Sequence, residues 1–170
     1  MKIKNYSRYE MLVQKNHSYS IVAPNGKKHF IKPDTEVGQK LYLVSCGGEL
    51  HYVGITNRPM SARISVGLKA ERKNGYYGYA WKQIRKPLIL HVICWSGKGN
   101  LQKNIEAIEA EIAFLCRTIT GDWPLSQTEI HFRPLNASHK KLAFKVYIMF
   151  NTSNNKKGSR RKSVLTRHHS

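Results

Sequence analysis

The sequence predicts an α+β domain: a small central β-sheet, antiparallel or mixed, flanked by helices and preceded by an N-terminal β-hairpin extension. Three observations predict it. Two short runs rich in β-branched and aromatic residues, 40–45 (KLYLVS) and 50–55 (LHYVGI), flank a glycine turn. A nearly unbroken apolar run at 86–95 reads as a strand covered on both faces, near the middle of the sheet. Between 104 and 119, Ile105, Ile108, Ile112, Leu115 and Ile119 recur at helical spacing.

The chain has 170 residues, enough for one domain with a modest core. Its 29 Lys and Arg against 10 Asp and Glu leave a formal charge of +19, and its 41% hydrophobic content separates it from disordered polycations. Such a charge calls for a polyanion, DNA or RNA by default; a structural RNA-binding protein fits the composition equally well. Cys46, Cys94 and Cys116 are far apart, without a CxxC or other metal-ligand spacing, and suit a reducing cytoplasm. The N-terminus lacks the apolar segment of a signal peptide, and no apolar run is long enough to span a membrane. These features point to a cytoplasmic protein with no membrane partner.

In chain order, residues 1–38 read as the β extension. A strand at 18–23, a turn at Pro24-Asn25-Gly26 and a second strand at 27–32 make the hairpin; Met11-Leu12-Val13 adds a short element. Lys27, Lys28, His29 and Lys32 cluster on it, either as DNA contacts or as the lysines that keep an edge strand from aggregating. Residues 39–150 form the main domain. In its hairpin, Leu41 and Leu43 should share the core face with Val53 and Ile55, which demands an odd-numbered loop such as Gly47, Gly48 and Glu49. Tyr42 and Tyr52 then meet on the other face with Gly54 beside them, bare enough for a ligand backbone to approach.

A helix follows, with Thr56 or Asn57 as cap, Pro59 in its first turn, and Met60, Ile64 and Leu68 as its apolar stripe. Arg63 lies one turn inside, offset from the stripe and aimed at the two tyrosines. The 69–85 segment interleaves basic and aromatic residues around Gly75 and Gly78, as an exposed loop that stacks on bases and holds phosphates. Lys73, Tyr76, Tyr77 and Lys82 are its candidate DNA contacts, whereas Tyr79 and Trp81 suit the core.

Asn104 caps the long helix in this reading. Of its glutamates, Glu106 reads as solvated and Glu109 as flanking. Glu111 is ringed at three- and four-residue spacing by Ala107, Ile108, Phe114 and Leu115, so it must be protonated, bound to a cation or paired with a buried arginine. Residues 127–132 read as a short strand or extended arm, with Gln127 and His131 as further DNA-binding candidates and Glu129 as a fainter one. The partial alternation of Leu142, Phe144, Val146, Ile148 and Phe150 reads as a strand. Residues 151–170 are polar and basic and read as a disordered tail that attracts DNA nonspecifically.

Tyr42 within LYL, the YVG at Tyr52–Gly54, Arg63 on the following helix and a glutamate on a later one, in that order, resemble the core of the GIY-YIG nuclease family. The NGYYGYAWK, IEAEIAFL and WPLSQTEIHF blocks look most like its type II restriction endonuclease branch. The resemblance implies metal-assisted hydrolysis of double-stranded DNA by a homodimer on a palindromic site, in a prokaryotic or phage-encoded protein. It implies Tyr42 as general base or holder of the attacking water, Tyr52 as the group positioning water or phosphate, Arg63 as the charge neutraliser, and Glu111 as the ligand of one Mg2+, with Mn2+ as a substitute. A looser phage or mobile-element endonuclease fits the same motifs. The family often places Lys or His one turn after the arginine; that position is Gly67, leaving the relay to Lys73, Tyr76 or His51. Gln127 or Asn136 is the match to an asparagine the family carries beyond the glutamate helix.

Overall fold

The computed structural model describes residues 1–70, 79–127 and 130–162, with the backbone alone from 154 onward. Among them, five strands form one antiparallel sheet: β1 (Lys2–Val13), β2 (Tyr19–Val22), β3 (Lys40–Cys46), β4 (Glu49–Thr56) and β5 (Leu88–Ser96). Three helices accompany it: α1 (Met60–Lys69), α2 (Leu101–Thr120) and α3 (Ala137–Lys162). The sheet order is β2-β1-β5-β3-β4. The α+β class and the central place of β5 follow the sequence expectation. No helix among the described residues is long and apolar enough to cross a membrane.

Side-chain alternation divides the core between the two sheet faces. On one, Tyr9, Met11, Val44, Leu90 and Val92 pack under α1 residues Met60, Ile64 and Leu68 and under the fully buried Trp81. On the other, Leu41, Leu43, Val53 and Ile93 meet Ile105, Ile108 and Ile112 of α2 and Val146 and Phe150 of α3.

The N-terminal segment departs from expectation in its pairing. Residues 27–32 are not a strand; β2 pairs instead with the long β1, which also pairs with β5 and so joins the main sheet. The polar residues of β1 hid it, but its inward positions Ser7, Tyr9, Met11 and Val13 alternate with period two. Residues 140–150 are helical, not a strand. Their even-numbered apolar positions include the i, i+4 series Leu142, Val146 and Phe150, and packing on α2 selects the helix, which also buries Ala143 and Tyr147. Asn136 caps α3, its Oδ1 accepting the His139 N–H at 2.9 Å. The helix runs to Lys162, through residues expected to be disordered.

Caps and turns needed smaller corrections. α2 starts three residues before Asn104, capped by Asn100 whose Oδ1 accepts from the Lys103 N–H. It ends at Gly121, which takes the left-handed conformation at φ 89°. Neither Thr56 nor Asn57 caps α1; Pro59 occupies the cap position.

Candidate active site

The β3–β4 hairpin keeps the anticipated register: Tyr42 pairs with Gly54, Leu43 with Val53, and Val44 with Tyr52. A different device sets it. The turn has two residues, Gly47 and Gly48, at φ 62° and 99°, and a bulge at His51 restores the parity that a three-residue loop would have supplied. Tyr42 and Tyr52 thus share a face, with ring centroids 5.9 Å apart. Gly54 is not an opening for ligand. A Cβ there would stand 2.5 Å from Tyr52 Cε1 and 2.7 Å from the Tyr42 hydroxyl, so the glycine makes room for the two phenols.

The helix that carries Arg63 is fixed at its entry by buried polar groups. The Met60 N–H donates to the Asp34 carbonyl, and Lys40 Nζ donates to the carbonyls of Glu36, Gly38 and Arg58. Asp34 is fully buried and accepts from the Tyr9 hydroxyl at 2.6 Å and from the Cys94 thiol at 3.1 Å. Burial, and then Asp34, push the Cys94 thiol up to about 12, while burial pulls the Lys40 ammonium below its usual range. The loop from 34 to 40 therefore ties β1 and β5 to the start of α1.

From this base, Arg63 Nε donates to the Tyr42 hydroxyl at 3.0 Å. A third phenol joins them. The Tyr79 hydroxyl lies 2.9 Å from that of Tyr42, and the Tyr79 ring lies 5.4 Å from the guanidinium carbon and 5.5 Å from the Tyr52 ring. Arg63 also lines an open groove of about 460 Å³ with Asn57, Arg58 and Gln102. Tyr52 is partly exposed, whereas Tyr42 has no exposure at all.

Burial, more than charge, sets the phenol chemistry. It raises Tyr42 well above the usual range; Tyr79 adds to the rise and Arg63 only offsets part of it. Tyr52 is raised by burial and then by Tyr42, again against Arg63. The pull of nearby positive charge on Tyr42 is thus outweighed, and both phenols are neutral at neutral pH.

The carboxylate beside this cluster is Glu109 rather than Glu111. Two residues apart on a helix, they point about 200° apart, so one flank of α2 cannot carry both. Glu109 is raised to about 7 by burial and then by Glu106, with Arg63 opposing, and its charge in turn raises Tyr52. Glu111 lies on the opposite flank. Glu106, read as solvated, accepts from Arg133 Nε at 3.0 Å and from Gln102 at 3.2 Å. The signal for Glu109 was present in the helical spacing: Ile105, Ile112 and Ala113 flank it, and all three are buried.

Gln127 accepts the Val53 N–H at 3.0 Å, next to Tyr52 on β4, while the Leu125 and Ser126 N–H groups bond to Leu50 and His51 along the same edge. Asn136 is committed to its cap. His51 faces Ser126. Lys82 donates to the Ala70 carbonyl at 2.7 Å; Lys27, Lys28 and His131 are exposed. Lys73, Tyr76, Tyr77 and Glu129 lie outside the described residues. No protein-family model, curated protein or solved structure matches this chain.

Proposed function

We propose that this chain is a metal-dependent endonuclease that hydrolyses phosphodiester bonds of double-stranded DNA, in the manner of the GIY-YIG enzymes and most like their type II restriction branch. One observation carries the reading: an arginine held by a phenol at the wall of an open groove, with a second phenol and a partly buried carboxylate beside it. The charge of +19 supplies the attraction for DNA.

In this reading Arg63 grips the scissile phosphate with its planar fork and neutralises charge developing in the transition state. Tyr52, the more exposed phenol, orients water or phosphate. Tyr42 holds Arg63 rather than meeting substrate, because it is buried and its hydroxyl is already engaged. Two cuts by chains with one site each call for a homodimer on DNA.

A divalent cation fits the donor set. Glu109 is a hard oxygen ligand whose charged form is penalised by burial and by Glu106, and a cation relieves both. Among the described residues no three His, Cys, Asp or Glu converge. Glu109 would hold such an ion, with water and substrate oxygens taking its other positions, a pattern that suits Mg2+ or Mn2+. When bound, the ion stabilises the leaving oxygen.

A noncatalytic nucleic-acid-binding protein is the second reading, and the complete burial of Tyr42 favours it. Plasmid incubation in Mg2+, then in Mn2+, with and without chelator, separates the two. Discrete fragments with common ends are expected, abolished by chelator. Arg63→Ala should lower the cleavage rate by about 10²- to 10³-fold with a much smaller loss of DNA affinity. Tight binding without cutting in either metal would leave the second reading.

A further inference from the structure

We infer that Tyr79 is a positioning residue: with Tyr42 it closes a ring of hydrogen bonds that begins and ends on Arg63 and holds the guanidinium at the groove. The direction of each bond follows from which groups can donate. A guanidinium only donates, so Arg63 Nε–H points at the Tyr42 oxygen, 3.0 Å away. A carbonyl only accepts, so the Tyr79 O–H points at the Arg63 backbone oxygen, 3.4 Å away. The Tyr42 O–H is left to donate to Tyr79, across 2.9 Å. Side chain and main chain of one residue are thereby bridged by two phenols whose protons have one consistent arrangement. The Tyr79 ring adds a face to the same cation, 5.4 Å from the guanidinium carbon.

Tyr79 is itself firmly placed. It stacks on Trp81 with centroids 4.4 Å apart, and its N–H donates to the Gly67 carbonyl at 3.2 Å. Gly67 lies on α1 one turn after Arg63, and a Cβ there would run into the Tyr79 ring. The glycine is the notch that admits the ring. An ordinary core aromatic would need the stacking but not the hydroxyl. Here the hydroxyl also accepts the proton of a fully buried phenol.

The functional consequence rests on the nuclease reading; the clamp does not. The test therefore has a readout for each. In the wild-type protein, the Arg63 Nε–H resonance, assigned by its loss in Arg63→Lys, should be protected from solvent exchange; rapid exchange there overturns the inference with no further variant. Tyr79→Phe keeps the ring and removes the hydroxyl. It should lower that protection by about 10-fold or more, and cut the single-turnover cleavage rate by about 10- to 100-fold with DNA affinity within about 3-fold. Gly67→Ala, which displaces the ring without touching the hydroxyl, should act in the same direction. Unchanged protection and unchanged rate in Tyr79→Phe overturn the inference and leave the nuclease reading standing. Lost protection in a protein that cuts no DNA supports the clamp and removes the nuclease reading alone.

Discussion

On one face of the sheet, Tyr42, Tyr79 and Arg63 hydrogen-bond beneath α1 and beside an open groove; on the other, Tyr6, His91 and Ser153 do so between the sheet and α3. Each cluster links a phenol to a nitrogen side chain beside the apolar core of its own face. They differ in charge and in access. The second runs in one direction: Ser153 donates to the Phe150 carbonyl, Tyr6 to Ser153, and His91 Nδ1 to Tyr6. Among the described residues His91 Nε2 has no hydrogen-bond partner, and burial, with Arg8 adding to it, pulls the imidazole down to about 3. That cluster joins helix to sheet and stays neutral. The first contains a permanent cation, a cost accepted where the cation reaches a groove. A buried polar network that keeps its charge at an opening is the better functional candidate of the two.

The largest effect expected from this comparison is on cleavage. Glu109→Gln should reduce single-turnover cutting by about 10³-fold, and Glu111→Gln should leave it within about 3-fold, because a single flank of α2 faces the arginine cluster. The reverse order of effects would move the site to the other flank. Next is stability. Lys40→Met removes the donor to three carbonyls around the α1 entry and should cost about 3 kcal/mol in denaturant unfolding. A neutral outcome would mean that α1, and with it Arg63, is held by apolar packing alone.

The smallest effect sharpens the contrast between the faces. His91 has its folded value lowered to about 3. Below its unfolded value of about 6.5 the unfolded chain takes up the proton first, so stability falls as pH drops. The loss runs from about pH 6.5 down to about 3, at no more than about 1.4 kcal/mol per pH unit. His91→Phe should flatten that slope, and thermal melts across the range read it directly. A slope unchanged in the variant would assign the acid sensitivity to other groups.

Much of the site could be read without coordinates, for a definite reason. Tyr42, Tyr52 and Gly54 share a face because side-chain alternation and one buried face allow a single hairpin register, even though a bulge replaced the expected loop. Tyr79 was harder to place as a functional group. Its role comes from the absence of a side chain at Gly67, twelve residues earlier, and local pattern does not carry such a pairing. The misread 140–150 segment fails differently: its even-numbered apolar positions satisfy both periods, and the choice belongs to α2, against which it packs.

Alternation, glycine turns and helical spacing determine the class of fold, the hairpin and the direction in which two phenols and an arginine face, since these depend on neighbours close in sequence. The choice of Glu109 over Glu111, the entry of Tyr79 and the anchoring of α1 by Asp34 and Lys40 belong to the tertiary structure. They depend on which surfaces meet across the sheet and on how much water is excluded there, and burial rather than nearby charge then sets the protonation of Tyr42 and Tyr52.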